Sequence, residues 1–269
     1  MSQSESARAL SPQPLPPDLA EALARAADRL GVFARPPFWY DEVGSTNDVA
    51  AALAAAGART GTVVAAGSQR AGRGRQGRSW SSPAGAGLYV SAVLRPGALV
   101  PPLLTLAAGL AIAEGVEAAT GFRAGLKWPN DLMADSRKLA GILAEACVQP
   151  EGAAPALVLG VGLNLRRAVH PPALAGVATS LEEELGRDVN RGLVLAECLA
   201  ALAARWVDLL EGRDDAVLDA WRARAVLGRP VEWDAGRGVA EDVDGGGALI
   251  VRTERGRLRI TSGEVRWSR

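Results

Sequence analysis

Between Phe38 and Leu165 short, β-prone apolar runs alternate with stretches of helical periodicity, and after Leu227 only short alternating runs remain. One layer cannot satisfy both textures. Apolar runs of a few residues bounded by turn signals bury two faces only inside a sheet covered by helices, whereas short polar/apolar alternations joined by Gly-rich turns form a small antiparallel unit. The β-prone runs fall at 62–66, 87–94, 126–128, 139–146 and 156–161, and the helical patterns at 47–56, 103–120, 191–210 and 215–225. This spacing predicts an α+β domain over 38–225 with a sizeable mixed central sheet flanked by helices. Runs at 230–233, 238–243, 249–253, 257–261 and 264–267, separated by turns such as Asp244-Gly245-Gly246-Gly247, predict a small β-barrel at 226–269. Residues 1–37 are read as a tail plus one helix: 1–17 is Ser/Pro-rich and expected to be disordered. Asp18, with Glu21 in capping-box position, then starts a helix that carries Leu19, Leu23 and Leu30 and ends at Gly31.

Charge and rare residues narrow the chemistry. The 269 residues carry 30 basic and 30 acidic side chains, so no global field draws in DNA or an anionic membrane. The longest apolar stretch, 99–113, is broken by Pro101 and Pro102 and is shorter than a bilayer span. The N-terminus lacks the apolar segment of a secretion signal, so a cytoplasmic protein is expected. Two cysteines, Cys147 and Cys198, and one histidine, His170 beside Pro171 and Pro172, cannot assemble a Cys/His zinc site, and any histidine-dependent triad rests on a single loop residue. An enzyme built from this set works with Lys, Arg, Asp, Asn and backbone dipoles, which suits acyl, phosphoryl or nucleotidyl transfer. Of the 30 basic residues only two are lysines, Lys127 and Lys138. Lysine is a compact point charge and arginine a planar fork, so a lysine kept in an arginine-rich chain marks a tight carbonyl or phosphate site, or else chance survival.

Four strings carry candidate chemistry. Gly44-Ser45-Thr46-Asn47-Asp48 opens a helix; at the least Ser45 or Thr46 is an N-cap, and the three small polar side chains with free N–H groups also suit a small polar ligand. Gln69 through Trp80 contains Gly72, Gly74 and Gly77 in a G-x-G-x-x-G spacing, but it runs into Ser-Ser-Pro instead of a helix, which excludes a dinucleotide fingerprint. What remains is a loop with Arg70, Arg73, Arg75 and Arg78, expected to repel itself until an anion orders it. In the third, Lys127-Trp128-Pro129-Asn130-Asp131 is a strand and turn followed by Lys138-Leu139-Ala140-Gly141-Ile142-Leu143-Ala144-Glu145. Strict alternation puts Lys138 on one face with Ala140, and Leu139 with Gly141 on the other; Gly141 permits a close ligand approach. The fourth, Gly160-Val161-Gly162-Leu163-Asn164, reads either as a tight turn or as a ribose or phosphate contact at a sheet edge.

Taken in this order, the strings resemble the biotin protein ligases over about residues 40–165, and the terminal β unit is similar in texture to that family's SH3-like domain. The resemblance implies the fold shared with class II aminoacyl-tRNA synthetases and lipoate ligases. It also implies a two-step reaction: biotin and MgATP give biotinyl-5′-AMP, from which a lysine of a biotin carboxyl carrier domain, in an acyl-CoA or pyruvate carboxylase, takes the biotin. By resemblance Ser45, Thr46, Asn47 and Gln69 hold the ureido ring; Arg73, Gly74 and Arg75 order over the biotin carboxyl and α-phosphate, with Trp80 beneath and Gly141 close by. Lys138 grips the carboxylate and transferred phosphoryl group. Arg75, Arg78, Lys127, Asn130, Asp131 and Asn164 serve the nucleotide, and Lys138, Arg75 and Lys127 form the catalytic set. Mg²⁺ is expected mainly on the ATP phosphates, with Asp131 as its one protein candidate. Some relatives carry a DNA-binding winged helix. Here 43 residues with one helix precede Gly44, fewer helices than a helix-turn-helix needs, so no DNA partner is expected. A monomer or weak homodimer is expected. Ala178 stands where some relatives place an aromatic near the adenine, so that stacking is not carried over. A lipoate or octanoate ligase of the same fold needs a long apolar tunnel, against which the polar side chains of Ser45, Thr46, Asn47 and Gln69 weigh; a sensor without chemistry remains the non-enzymatic alternative.

Overall fold

The computed structural model describes residues 11–97, 101–148, 155–167 and 174–267. His170 and the first ten residues lie outside them. Among the described residues twelve strands fall into two sheets. The first has the order β1-β2-β3-β7-β6-β5-β4, made of β1 (Phe38–Val43), β2 (Val63–Gln69), β3 (Gly87–Leu94), β4 (Gly125–Lys127), β5 (Asp131–Ala134), β6 (Arg137–Cys147) and β7 (Ala156–Asn164). Only β1 and β2 pair in parallel. Both β1 and β5 escaped the sequence reading, because Asp41 and Glu42 interrupt the apolar run of β1 and β5 is only four residues long.

Alternation along the central strands decides which face does what. Leu88, Val90 and Ala92 of β3 and Leu157, Leu159 and Leu163 of β7 point into the main core. That core is filled by α3 (Leu104–Thr120) and α5 (Arg191–Leu210), with α1 (Pro17–Arg25), the short α4 (Leu181–Leu185) and α6 (Asp214–Arg222) alongside. The opposite face carries Val64, Ala66, Val93 and Val158 against Ala50 and Ala54 of α2 (Thr46–Ala55). The helix-pair packing is close: a Cβ at Gly115 of α3 would sit 2.4 Å from Cys198 Cα of α5, so α3 needs a glycine where the two backbones meet. Gly121, at φ 77°, ends α3 in the left-handed region, its N–H returning to Glu117 O at 2.8 Å.

The N-terminal expectations need correction. Helix α1 begins after Pro16 with no side-chain cap, since proline at the first turn removes a donor that a cap would satisfy. Asp18 instead pairs with Arg191 of α5, at 2.6 Å. The helix stops at Arg25 and Gly31 opens a separate 3₁₀ turn, although Leu19, Leu23 and Leu30 are buried as expected. Nor is the segment 11–16 a loose tail: Gln13 N–H bonds Trp39 O at 2.8 Å on the outer edge of β1.

The second sheet, with the order β11-β10-β9-β8-β12, contains β8 (Pro230–Trp233), β9 (Gly236–Val243), β10 (Leu249–Thr253), β11 (Gly256–Ile260) and β12 (Arg266–Trp267). Strands β11 and β12 are its two edges and do not pair with each other, so it is an open antiparallel sheet and the closed barrel expected from its texture is not formed. Its apolar face, including Val231, Val243, Leu249 and Val251, joins the main core. Trp128 Nε1 donates to Gly247 O at 2.8 Å, tying the β4–β5 turn to this sheet. Among the described residues no helix is long and apolar enough to cross a membrane.

Candidate active site

A single row of cross-strand neighbours builds the floor of the main cleft. Lys127 of β4 stands opposite Asp131 of β5, Asp131 opposite Gly141 of β6, Gly141 opposite Gly162 of β7, and Gly162 opposite Tyr89 of β3. The next row is Leu143, Gly160 and Ser91. Both rows lie on the face that carries α2. The expected pairing of Lys138 with Ala140 fails for a local reason: Leu132 opposes Ala140 but Met133 opposes Lys138, so Leu139 is an extra residue in β6. Such a bulge reverses the parity of the strand. Leu139 and Ala140 both turn into the core, and Lys138 comes to the side of Gly141, where a Cβ would lie 3.2 Å from Nζ. Likewise Gly160 and Gly162 are not in a turn or at an edge but inside β7, between β3 and β6. Each makes room for a neighbour: a Cβ would fall 2.2 Å from Asn47 Oδ1 at position 160 and 2.4 Å from Trp80 Nε1 at position 162.

The cleft has about 940 Å³ of empty space and two chemically distinct ends. Ser45, Thr46, Asn47 and Gln69 line one end; Arg75, Arg78, Lys127, Asn130, Asp131 and Lys138 line the other, with Arg73, Gly74, Trp80 and Gly141 between. Of the site residues read from the sequence, only Asn164 is elsewhere. Its Nδ2 donates to Thr179 O at 2.9 Å, and it lines an adjoining space of about 840 Å³ together with Ala178 and Tyr89. Arg78, Ser79, Trp80 and Lys138 form the wall shared by the two.

At the polar end the side chains are fixed before any ligand arrives. Ser45 stands at the N-cap position of α2, but its side chain makes no capping hydrogen bond and is the exception. Gln69 Oε1 accepts from the Thr46 N–H at 2.8 Å and faces its hydroxyl at 3.1 Å, while Gln69 Nε2 donates to Ser82 Oγ at 2.8 Å. Ser91, fully buried on β3, lies 2.7 Å from Thr46 Oγ1 and 2.6 Å from Asn47 Oδ1. Asn47 Nδ2 donates to Glu145 Oε2 at 2.6 Å. Ser82, Ser91 and Glu145 are the residues here to which the sequence reading gave no role. Ser91 looks like any strand serine, and Glu145 was only the last letter of a string.

The arginine loop makes a tight turn at Arg75–Gly77, with Gln76 in the left-handed region at φ 56°, and three of its four arginines are paired with carboxylates. Arg70 pairs with Glu42, Arg73 with Asp48 and with Glu145 at 2.9 Å, and Arg78 with Glu264. Arg75 Nη1 lies 3.4 Å from Asn130 Oδ1. Self-repulsion is thereby answered by carboxylates rather than awaiting an outside anion. Burial alone would lower the pKa of Arg73, but its hydrogen bonds to Glu145 and Asp48 outweigh that and raise it. Glu264, hydrogen-bonded by Arg266 and Arg78, is pulled down to about 2.

Both lysines of the chain stand in this cleft, each over an indole: Lys127 Nζ is 5.1 Å from the Trp267 ring and Lys138 Nζ 5.3 Å from the Trp80 ring. Lys138 also forms an ion pair with Asp131 at 2.6 Å. Burial depresses the pKa of Lys127, with Lys138 adding to the fall and Asp131 opposing it. The buried indole N–H of Trp80 has no protein partner. An orphaned donor over a glycine floor, between a polar pocket and two ammonium groups, is arranged for a ligand with a polar head and an anionic tail. Gly263, Glu264 and Val265, in the connection between β11 and β12, close the cleft, a contribution that the sequence reading, which kept the two parts separate, did not foresee.

Comparison with known proteins agrees with this geometry. The model described as the biotin/lipoate A/B protein ligase family matches residues 41–164, and that of the biotin protein ligase C terminal domain matches 226–266. The biotin–acetyl-CoA-carboxylase ligase of Paracoccus denitrificans is 39% identical over 215 residues, covering 75% of this chain and 88% of that one. Its counterpart from Mycobacterium tuberculosis is 36% identical over 239 residues, covering 83% and 86%. The bifunctional ligase/repressor BirA of Bacillus spizizenii is 32% identical over 260 residues, covering 93% and 79%. A solved biotin protein ligase from Aquifex aeolicus, in complex with biotin and ATP, superposes with a TM-score of 0.77 at 29% identity, covering 87% of this chain and 100% of that one. A chain with this cleft, both family domains and relatives of this identity belongs to the biotin protein ligase family and is an enzyme.

Proposed function

We propose that this chain forms biotinyl-5′-AMP from biotin and MgATP and passes the biotin to a lysine of a biotin carboxyl carrier domain. In the first step a biotin carboxylate oxygen attacks the α-phosphorus and pyrophosphate leaves. In the second the carrier amine attacks the acyl carbon, loses a proton and releases AMP. The observation that carries this reading is the convergence of the chain's two lysines, beside a fixed polar pocket, over the Gly141–Gly162 floor. A carboxylate brought against a triphosphate needs fixed cations, and none of the assigned groups has to act as a histidine base.

In this reading Ser45, Thr46, Asn47 and Gln69 receive the ureido ring, and Ser91 and Glu145 hold them in place. Arg73, braced by Asp48 and Glu145, sets the loop, while Arg75 and Lys138 take the carboxylate and α-phosphate. Lys127, Arg78 and Asn130 take the remaining phosphates. Asn164, Tyr89 and Ala178 receive the nucleoside in the adjoining space, Ala178 standing where some relatives carry an aromatic near the adenine. Mg²⁺ would supply charge neutralisation on the ATP phosphates, and Asp131, in the row of Lys127 and Gly141, is the carboxylate that would hold it. We assign 38–225 as the catalytic unit and 226–269 as a C-terminal unit that closes it.

The test is intact mass of a biotin carboxyl carrier domain after incubation with the protein, biotin and MgATP, with pyrophosphate release followed for biotin against lipoate. One biotin added to a carrier lysine, and pyrophosphate released with biotin alone, is the expected result. Lys138→Ala should remove both products while leaving the fold intact. Release with lipoate, or tight biotin binding without product, overturns the reading.

A further inference from the structure

We propose that Trp267 is a positioning residue for the nucleotide, its ring face holding the Lys127 ammonium inside the cleft as a full positive charge. The inference rests on the ligase reading of the cleft.

Lys127 and Lys138 are held differently. Asp131 lies directly beside Lys138, so that pair has little net charge to offer until a ligand competes for it. Lys127 shares its row with the same Asp131, yet its close contact is the Trp267 indole, at 5.1 Å. An aromatic face attracts an ammonium through its quadrupole without cancelling its charge, which a carboxylate would do. A group that must meet a triphosphate is better served by such a partner. The indole is also fixed: Trp267 pairs with Val231 of β8 in the sheet ladder, and Arg229 stacks on the same ring at 4.7 Å. Lys127 comes from the first sheet and Trp267 from the second, so the charge is positioned only when both are in place. In the sequence Trp267 is the last aromatic of an edge strand, with nothing to mark it.

The test is calorimetric titration of the biotin-saturated full chain with the α,β-methylene analogue of ATP, which resists cleavage at the reacting bond. Trp267→Tyr, Trp267→Phe and Trp267→Leu are compared, each alone and with Lys127→Met. A partly desolvated cation–π contact corresponds to a loss of about 3- to 30-fold in affinity for Trp267→Leu, with Tyr and Phe between it and wild type. In the Lys127→Met background the three should be equal, and biotin affinity should be unchanged throughout. Equal affinity of wild type and Trp267→Leu, or an equal loss with and without Lys127, overturns the proposal, as does a wild-type chain that does not bind the analogue. Pyrophosphate release by wild type with biotin and ATP is run beside it. Its absence counts against the ligase reading, whereas its presence with an indifferent Trp267 series counts against this inference alone.

Discussion

Replacing Gly162 by alanine tests the floor of the cleft most sharply. The added Cβ would stand 2.4 Å from Trp80 Nε1 and 2.5 Å from Cε2, where carbon contacts need about 3.5 Å or more. The strand cannot retreat, because β7 is bonded to β3 on one side and β6 on the other. The indole must therefore move by about 1 Å, taking with it the surface on which Lys138 rests and the loop bonded through Trp80 N–H to Gly72 O at 2.8 Å. Overpacking of this kind costs about 1–3 kcal/mol, so the closed arrangement should lose roughly 5- to 150-fold in population. A displacement of this size also costs about 100-fold in rate where reacting atoms must be aligned. The assay is biotin-dependent pyrophosphate release, with circular dichroism and a thermal melt to show that the fold survives. A Gly162→Ala protein with wild-type kcat/KM would refute the claim that the glycine exists to seat Trp80.

Two glycines of α3 should behave oppositely. Gly109→Ala meets only Leu126 Cδ2 at 3.7 Å and Ile142 Cδ1 at 3.9 Å, so the helix gains about 0.5–1 kcal/mol and Tm rises by about 1–4 °C, whereas Gly115→Ala strikes the α5 backbone and should lower Tm by about 2–12 °C; equal melting points would contradict the packing argument. Because burial depresses the pKa of Lys127, its required cation is lost earlier as pH rises. The kcat/KM for ATP should fall below the ordinary lysine value of 10.5, and Lys127→Arg should move that limb upward; an unmoved limb assigns it to another group. Glu264 titrates near 2, below its ordinary 4.5, so the stability it adds is present above pH 4.5 and lost as pH falls through about 2. Glu264→Gln should flatten that part of the acid unfolding curve, and a curve of unchanged steepness would show that the carboxylate does not hold the second sheet to the arginine loop.

Much of this was legible from local signals. Most strand and helix positions followed from periodicity, and the first three strings meet in one cleft as their glycines and charges suggested, whereas the fourth brings Gly160 and Gly162 to the floor from inside β7 and leaves Asn164 in the adjoining space. What escaped depends on contacts between distant segments. The bulge at Leu139 changes the facing of Lys138, yet it is defined only by the register with β5. Ser91 gains its role from Thr46 and Asn47, more than forty positions away. Glu264 enters the cleft, and Trp267 reaches Lys127, only when the second sheet docks. The helix start at Asp18 failed because Pro16 and Pro17 removed the need for a cap and Arg191 claimed the carboxylate.

The close approach of α3 and α5 also decides how the protein meets an oxidant or an alkylating reagent. Cys198 is sealed at that contact, its Sγ 3.8 Å from Ile112 O, and burial pushes its thiol up to about 12. A thiolate hardly forms there at neutral pH, so the group is chemically silent while the two helices stay together. Cys147, half-buried at the end of β6, is the reachable one. In a thiol count the native chain should register as a one-cysteine protein, and the second sulfur should report, as a built-in clock, each time the helix pair comes apart.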